Sequence, residues 1–167
     1  AVDDVLITAT GGSPNQTPSA DPQPVSTAED TALEIFLTGA DGDGDPLTFS
    51  VTGGPDHGTL SGIAPSLTYT PAANYHGPDS FSFVVNDGVV DSMPATIDIT
   101  VNPINDAPVA DGQPVTTPQD TPVAITLAGS DVDGDALAYS VVEQPAHGAL
   151  GGTAPTLTYT PAPGYSG

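Results

Sequence analysis

The sequence contains no cysteine, no lysine and no arginine. Without cysteine no disulfide staples the fold, and a bound metal is the alternative cross-link. Without Lys or Arg nothing neutralises phosphate, which excludes nucleic acid as a partner. Attachment to an anionic membrane surface by charge is excluded for the same reason. No apolar run reaches the roughly 20 residues that a helix needs to cross a bilayer, so direct membrane insertion is not expected. No stretch has helical periodicity. What remains is acidic: 21 Asp and Glu give a formal charge of −21 over 167 residues. The natural partners of such a surface are cations, and solubility in salt is the plainer explanation of it. The 19 Gly and 19 Pro make a turn-rich chain. Acidity can mean disorder, but the apolar residues here are strongly patterned, which argues for a packed core.

The acidic residues are concentrated in Asp41-Gly42-Asp43-Gly44-Asp45 and again in Asp131-Val132-Asp133-Gly134-Asp135. Like charges in contact repel by about 1–4 kcal/mol per pair at dielectrics between water and a protein surface. A hard divalent cation turns that repulsion into a site, and calcium accepts six to eight oxygens from irregular loops. Asp41, Asp43 and Asp45, with Asp131, Asp133 and Asp135, are therefore predicted calcium ligands. A solvated Asp-Gly turn is the plainer reading of either loop alone. The second copy keeps all three carboxylates while its neighbours change, and that favours the metal. Magnesium wants stricter octahedral geometry. Zinc lacks its usual ligands here, since His57 and His147 fall in separate repeats.

The two loops lie 90 positions apart, and a shift of 90 aligns the chain with itself without a gap. Pro55-Asp56-His57-Gly58-Thr59-Leu60 meets Pro145-Ala146-His147-Gly148-Ala149-Leu150, and Leu67-Thr68-Tyr69-Thr70-Pro71 meets Leu157-Thr158-Tyr159-Thr160-Pro161. A period this long is a domain, not a solenoid coil. The expected organisation is a last strand of a preceding repeat over 1–10 and a linker over 11–18. A complete sandwich repeat over 19–102 follows, then a linker over 103–108 and a second repeat over 109–167 that lacks its last two strands. Such a chain is either a window cut from a longer array or a subunit whose unfinished repeat is completed by another copy. In the second case the Val5–Thr10 strand adds to an open edge and builds a filament.

Period-two alternation bounded by turn residues predicts strands over 23–27, 32–37, 47–51, 58–61, 66–70, 80–86 and 95–101. Leu33, Ile35 and Leu37 share one face; Leu47, Phe49 and Val51 share one face of the next strand; Phe81, Phe83 and Val85 line a later strand, and Ile97, Ile99 and Val101 line the last. Pro24 places the first strand at an edge. The fold class is all-β, a tandem array of seven-stranded immunoglobulin-like Greek-key sandwiches. Tyr75, matched by Tyr165, reads as a tyrosine corner whose hydroxyl bonds to nearby backbone. His57 and His147 read as turn residues that pack or bond to backbone. Asn86-Asp87-Gly88 reads first as a turn, with Asp87 a secondary metal candidate. Asn15-Gln16-Thr17 is a glycosylation acceptor triplet at Asn15. Phe36 points away from its core-facing neighbours, and Thr126 stands at its counterpart.

Asp-x-Asp-Gly-Asp-x-Leu, Pro-x-His-Gly-x-Leu, Leu-Thr-Tyr-Thr-Pro, Asp-Ser-Phe-Ser-Phe-Val-Val-Asn-Asp-Gly and Asn-Asp-Ala-Pro together resemble the cadherin-like, immunoglobulin-like tandem repeats of very large bacterial surface adhesins. The resemblance covers essentially the whole chain. It implies an extracellular or cell-surface location, calcium near domain junctions, and a role in adhesion or matrix. It also implies Asn105 and Asp106 as linker ligands beside Asp131 and Asp133, with Glu29, Asp30 and Asp120 as further contributors. Gln16 stands where Asp106 stands, so the first junction is expected to bind calcium more weakly. The expected function is a calcium-rigidified structural or adhesive repeat, and the expected partners are neighbouring repeats or other copies in a fibre. A calcium-dependent carbohydrate-binding module acting on surface or matrix glycans is the rival from another class. No nucleophile motif, phosphate loop or catalytic carboxylate pair is visible, so no enzyme is expected.

Overall fold

The computed structural model describes residues 14–167. The strand expected over Val5–Thr10 lies outside the described residues. The chain forms two compact units, one ending at Ile104 and one spanning Asn105–Gly167.

Among the described residues nine strands occupy the first unit: β1 (Ser19–Ala20), β2 (Gln23–Ala28), β3 (Leu33–Phe36), β4 (Gly39–Ala40), β5 (Thr48–Gly53), β6 (Gly58–Ile63), β7 (Ser66–Pro71), β8 (Gly77–Asn86) and β9 (Ala95–Asn102). Seven of them make the two main sheets, one in the order β2-β9-β8-β5 and one in the order β3-β7-β6. The two-residue strands β1 and β4 pair separately, Ser19 with Ala40 and Ala20 with Gly39. This pair is too short to show as alternation and was not expected from the sequence. Strand β2 runs parallel to β9 with Pro24 opposite Asp98, at the sheet edge where proline is tolerated. All other pairs among the described residues of this unit are antiparallel.

The core lies between the two sheets. Ile35, Leu37, Leu67, Tyr69, Phe81, Phe83, Val85, Ile97, Ile99 and Val101 are all buried, each large side chain contributing roughly 1.5–3 kcal/mol by leaving water. Val51 departs from expectation and is 40% exposed. Strand β5 is an edge strand whose register shifts between Val51 and Gly53, which turns the end of its apolar row out of the interior.

The inward row of β8 continues past its phenylalanines to an aspartate at each end, because Asp79, Phe81, Phe83, Val85 and Asp87 share one parity. Both carboxylates are buried, at 8% and 7% exposure. Asp79 accepts the Tyr69 hydroxyl at 2.7 Å and the N–H groups of Asp56, His57 and Ser80 at 3.0, 3.0 and 2.8 Å. Burial pushes its carboxyl up, but these four donors outweigh burial and leave it below the ordinary range. The Tyr75 hydroxyl donates to the Pro78 carbonyl at 2.6 Å, the corner expected from the sequence. The His57 ring stacks on Tyr75 at 4.1 Å, and His147 stacks on Tyr165 at 4.3 Å.

The second unit contains β10 (Val109–Asp111), β11 (Val123–Thr126), β12 (Ala128–Ser130), β13 (Gly148–Thr153) and β14 (Thr156–Pro161). They form the sheet β11-β14-β13 and the pair β10-β12, repeating β3-β7-β6 and β1-β4. The counterparts of β2 and β5 form no ladder, although the sequence pattern there is retained. In the first unit those strands pair with β9 and β8, and a shift of 90 carries both partners past Gly167. A groove of about 830 Å³ lined by Val115, Ile125, Leu150, Tyr159 and Tyr165 marks the corresponding interior.

Candidate metal centre

Strand β4 ends at Ala40, and the chain then turns through Asp41–Asp45. The Asp41 carboxylate organises this turn by accepting the N–H groups of Asp43 at 2.8 Å and Asp45 at 3.0 Å through one oxygen, Oδ1. Gly44 adopts φ +81°, a region that side-chain-bearing residues rarely adopt. The second loop is built alike. Asp131 Oδ1 accepts from Asp133 and Asp135 at 3.0 and 3.1 Å, and Gly134 has φ +79°.

These turns leave carboxylate oxygens facing one another. One oxygen from each of Asp41, Asp43 and Asp45 lies within 4.8 Å of the others. Asp41 Oδ2 is buried and has no hydrogen-bond partner. Oxygens that ligate one calcium ion at about 2.3–2.6 Å can be separated by at most roughly twice that distance, so the spacing fits the ion. A buried oxygen without a donor, in a chain with no Lys or Arg, fits it as well. Among the described residues no second group of three acidic side chains is brought together in this way.

The linkers reach both loops. Asp43 accepts the Gln16 backbone N–H at 2.6 Å through Oδ2 and the Gln16 side-chain amide at 3.1 Å through Oδ1. Asn15 donates its side-chain amide to Asp87 at 2.9 Å, so the nitrogen that a glycan would occupy is engaged with a carboxylate. Asp87 also accepts the N–H groups of Val89 and Val90. The Val90 bond first, and the Asn15 amide next, hold its carboxyl below the ordinary range. In the second unit Asp106 donates its N–H to Asp133 at 2.7 Å, and Asn105 donates to the Asp106 carbonyl at 2.8 Å.

The remaining acidic candidates are engaged elsewhere. Glu29, 4% exposed, accepts the Ile104 N–H at 2.6 Å and lies 3.8 Å from His76 Nδ1. Asp30 accepts the Asn74 N–H at 3.0 Å, and Asp120 accepts the Gly164 N–H at 2.8 Å. That Gln16 and Asn15 act as donors to acidic side chains is a finding of the fold rather than of the residue pattern. A signal was present: where Gln16 becomes Asp106, Gly42 becomes Val132. Asp79 as a buried anchor is likewise a finding of the fold, although its parity with Phe81 and Phe83 places it inward.

Comparison with known proteins agrees with this architecture. Integrin beta-like protein B of Dictyostelium discoideum is 33% identical over 136 residues, covering 71% of this chain and 7% of that protein. Integrin beta-like protein A of the same organism is 30% identical over 142 residues, covering 72% and 7%. The chain thus spans only a small part of the curated relatives that it matches. Among solved structures, extracellular cadherin domains 3–6 of protocadherin gamma B2 superpose with a TM-score of 0.52 at 14% identity, covering 89% of this chain and 39% of that one. That likeness supports the sandwich fold. The family model described as the bacterial Ig domain matches residues 15–100 and again residues 105–167. With two successive matches that follow the internal repeat, the chain belongs to the bacterial Ig domain family.

Proposed function

We propose that this chain is a calcium-binding structural stretch of an extracellular surface protein or fibre, in which each acidic loop holds the linker leading into its own repeat. One observation carries the reading: three carboxylate oxygens within 4.8 Å of one another in a chain that has no Lys or Arg to offset them. When bound, calcium supplies the positive charge that this spacing requires. Asp41 sets the turn through Oδ1 and offers Oδ2, while Asp43 and Asp45 complete the face. In the second unit Asp131, Asp133 and Asp135 form the corresponding set, with Asn105 and Asp106 beside them. A linker tied to the repeat that it enters swings less, and that restraint suits an adhesive or matrix array. Membership of the bacterial Ig family and similarity to integrin beta-like proteins favour a surface role of this kind over catalysis. Calorimetric titration of the chelated protein with calcium tests it. Binding with dissociation constants of about 0.1–1 mM, the range of extracellular modules, is expected. A flat titration well above that range overturns the reading.

A further inference from the structure

We infer that the groove of the second unit is a docking site for an extended segment of another polypeptide, one that carries an aspartate two positions before the first of two alternating phenylalanines. That is the pattern of Asp79, Phe81 and Phe83. Three donors in the groove, on Ala146, His147 and Tyr159, are placed to receive the carboxylate. The inference does not depend on calcium.

The first unit shows what these donors do when they are filled. Asp79 Oδ1 accepts the Asp56 N–H and Oδ2 accepts the His57 N–H, both at 3.0 Å. The Tyr69 hydroxyl donates to Oδ2 at 2.7 Å and stands 3.5 Å from the His57 carbonyl. The second unit builds the same turn and hairpin from Ala146, His147 and Tyr159. Gly148 pairs with Pro161 as Gly58 pairs with Pro71. The His147 ring stacks on Tyr165 as the His57 ring stacks on Tyr75. The frame that aims the donors is therefore in place without the carboxylate, because a shift of 90 carries Asp79 past Gly167. The Tyr159 hydroxyl turns instead to the His147 carbonyl at 2.8 Å. Among the described residues neither the Ala146 nor the His147 N–H has an acceptor.

The rest of the groove fits a strand rather than a small acid. Val115, Ile125, Leu150 and Tyr165 give it apolar walls. Ile125 and Tyr159 are half-buried where their counterparts Ile35 and Tyr69 are buried. Residues 138–143 repeat β5 but form no ladder, whereas β5 itself pairs with β8, Phe49 opposite Val85. A strand laid in the groove meets both needs, with backbone bonds for affinity and side-chain sites for specificity. The Val5–Thr10 segment repeats β9 rather than β8 and carries no carboxylate, so it leaves the three donors unmet. A chain of net charge −21 repels acids in general. One enters only where N–H and O–H donors are aimed at it, since bonds to an ionised acceptor are the strong ones.

The test titrates the full chain with a synthetic peptide of residues 77–86, and with the same peptide carrying Asp79→Asn, in salt that screens the overall charge. The first peptide should bind. The second should bind more weakly by on the order of tenfold to a hundredfold, the loss of hydrogen bonds to a charged group. Tyr159→Phe in the chain should weaken the first peptide and leave the second unchanged, a difference that a merely structural role would not produce. Hydrogen exchange should show residues 138–143 gaining protection when the first peptide is bound. No binding of the first peptide at about 1 mM, or equal binding of the two, overturns the inference. So does binding without protection at 138–143. Sedimentation of the chain alone supplies the last arm: self-association that excludes the peptide would put a second copy in the groove and overturn the assignment.

Discussion

Asp79 and Tyr69 show how much one buried polar pair can demand. The carboxylate is 8% exposed and is kept ionised by the Tyr69 hydroxyl and three backbone N–H groups. Burial first, and the bond to Asp79 second, raise the Tyr69 hydroxyl above its ordinary 10.0. The two shifts have opposite consequences for stability. The contribution of Asp79, whose folded value is depressed, is complete above the ordinary carboxylate value of 3.8 and is lost as pH falls through the folded value. The contribution of Tyr69, whose folded value is raised, is complete below 10.0 and is lost as pH rises further. Urea unfolding should show a stability plateau between these limits and a decline on both sides. Tyr69→Phe should lower the plateau by about 1.5–3 kcal/mol, the worth of a hydrogen bond to a charged group, and should flatten the alkaline decline. An unchanged plateau would remove the pair from the account.

At the scale of the element, the β6–β7 hairpin is the best-determined part of the repeat, and β13–β14 copies it. Gly58 pairs with Pro71, and Gly148 with Pro161. A Cβ on Gly58 would stand 2.7 Å from the Thr70 carbonyl oxygen and 2.7 Å from Tyr69 Cζ, and closer still to Tyr69 Cε2. Gly148 faces the Thr160 carbonyl at 2.5 Å in the same way. Backbone oxygen and a buried ring cannot yield cheaply, so Gly58→Ala should cost about 1–3 kcal/mol, as overpacking does. Thermal melts of the purified variant check this, and a melting point equal to wild type would show that the hairpin shifts freely. This hairpin was legible in the sequence because its glycine, apolar and turn residues are all local. The β1–β4 pair was not, because two residues per strand leave no period to read. Strand β8 was legible in its phenylalanines, while Asp79 and Asp87, at either end of that inward row, took their meaning only from the partners that the fold brings to them.

At the scale of the whole molecule, charge is the governing quantity. A net −21 with no Lys or Arg means that every carboxylate is offset by N–H donors, by solvent counterions or by a bound cation. Backbone and amide donors serve Asp79, Asp87, Glu29, Asp30 and Asp120. The loop acids keep oxygens that those donors do not fill. On the proposed calcium reading, chelator should therefore leave the β-sheet circular dichroism intact and speed proteolysis at residues 103–108. The protease must be one of broad specificity, since the chain offers trypsin no site. Cleavage indifferent to calcium would argue that the second loop holds its linker by hydrogen bonds alone.

The sequence by itself determined the 90-residue repeat, the all-β class, the inward rows of the long strands and the two acidic loops, because each is a matter of local pattern or of residue type at fixed spacing. Only the tertiary structure decided that the counterparts of β2 and β5 in the second unit form no ladder, because a strand exists only with its partner. It also decided which acids the backbone already satisfies and which keep free oxygens. That distinction depends on donors up to 75 positions away, as with Ile104 and Glu29. The closure of Gln16 over Asp43, 27 positions on, is of the same kind: an amide and a carboxylate become a pair only when the fold brings the linker back to the loop.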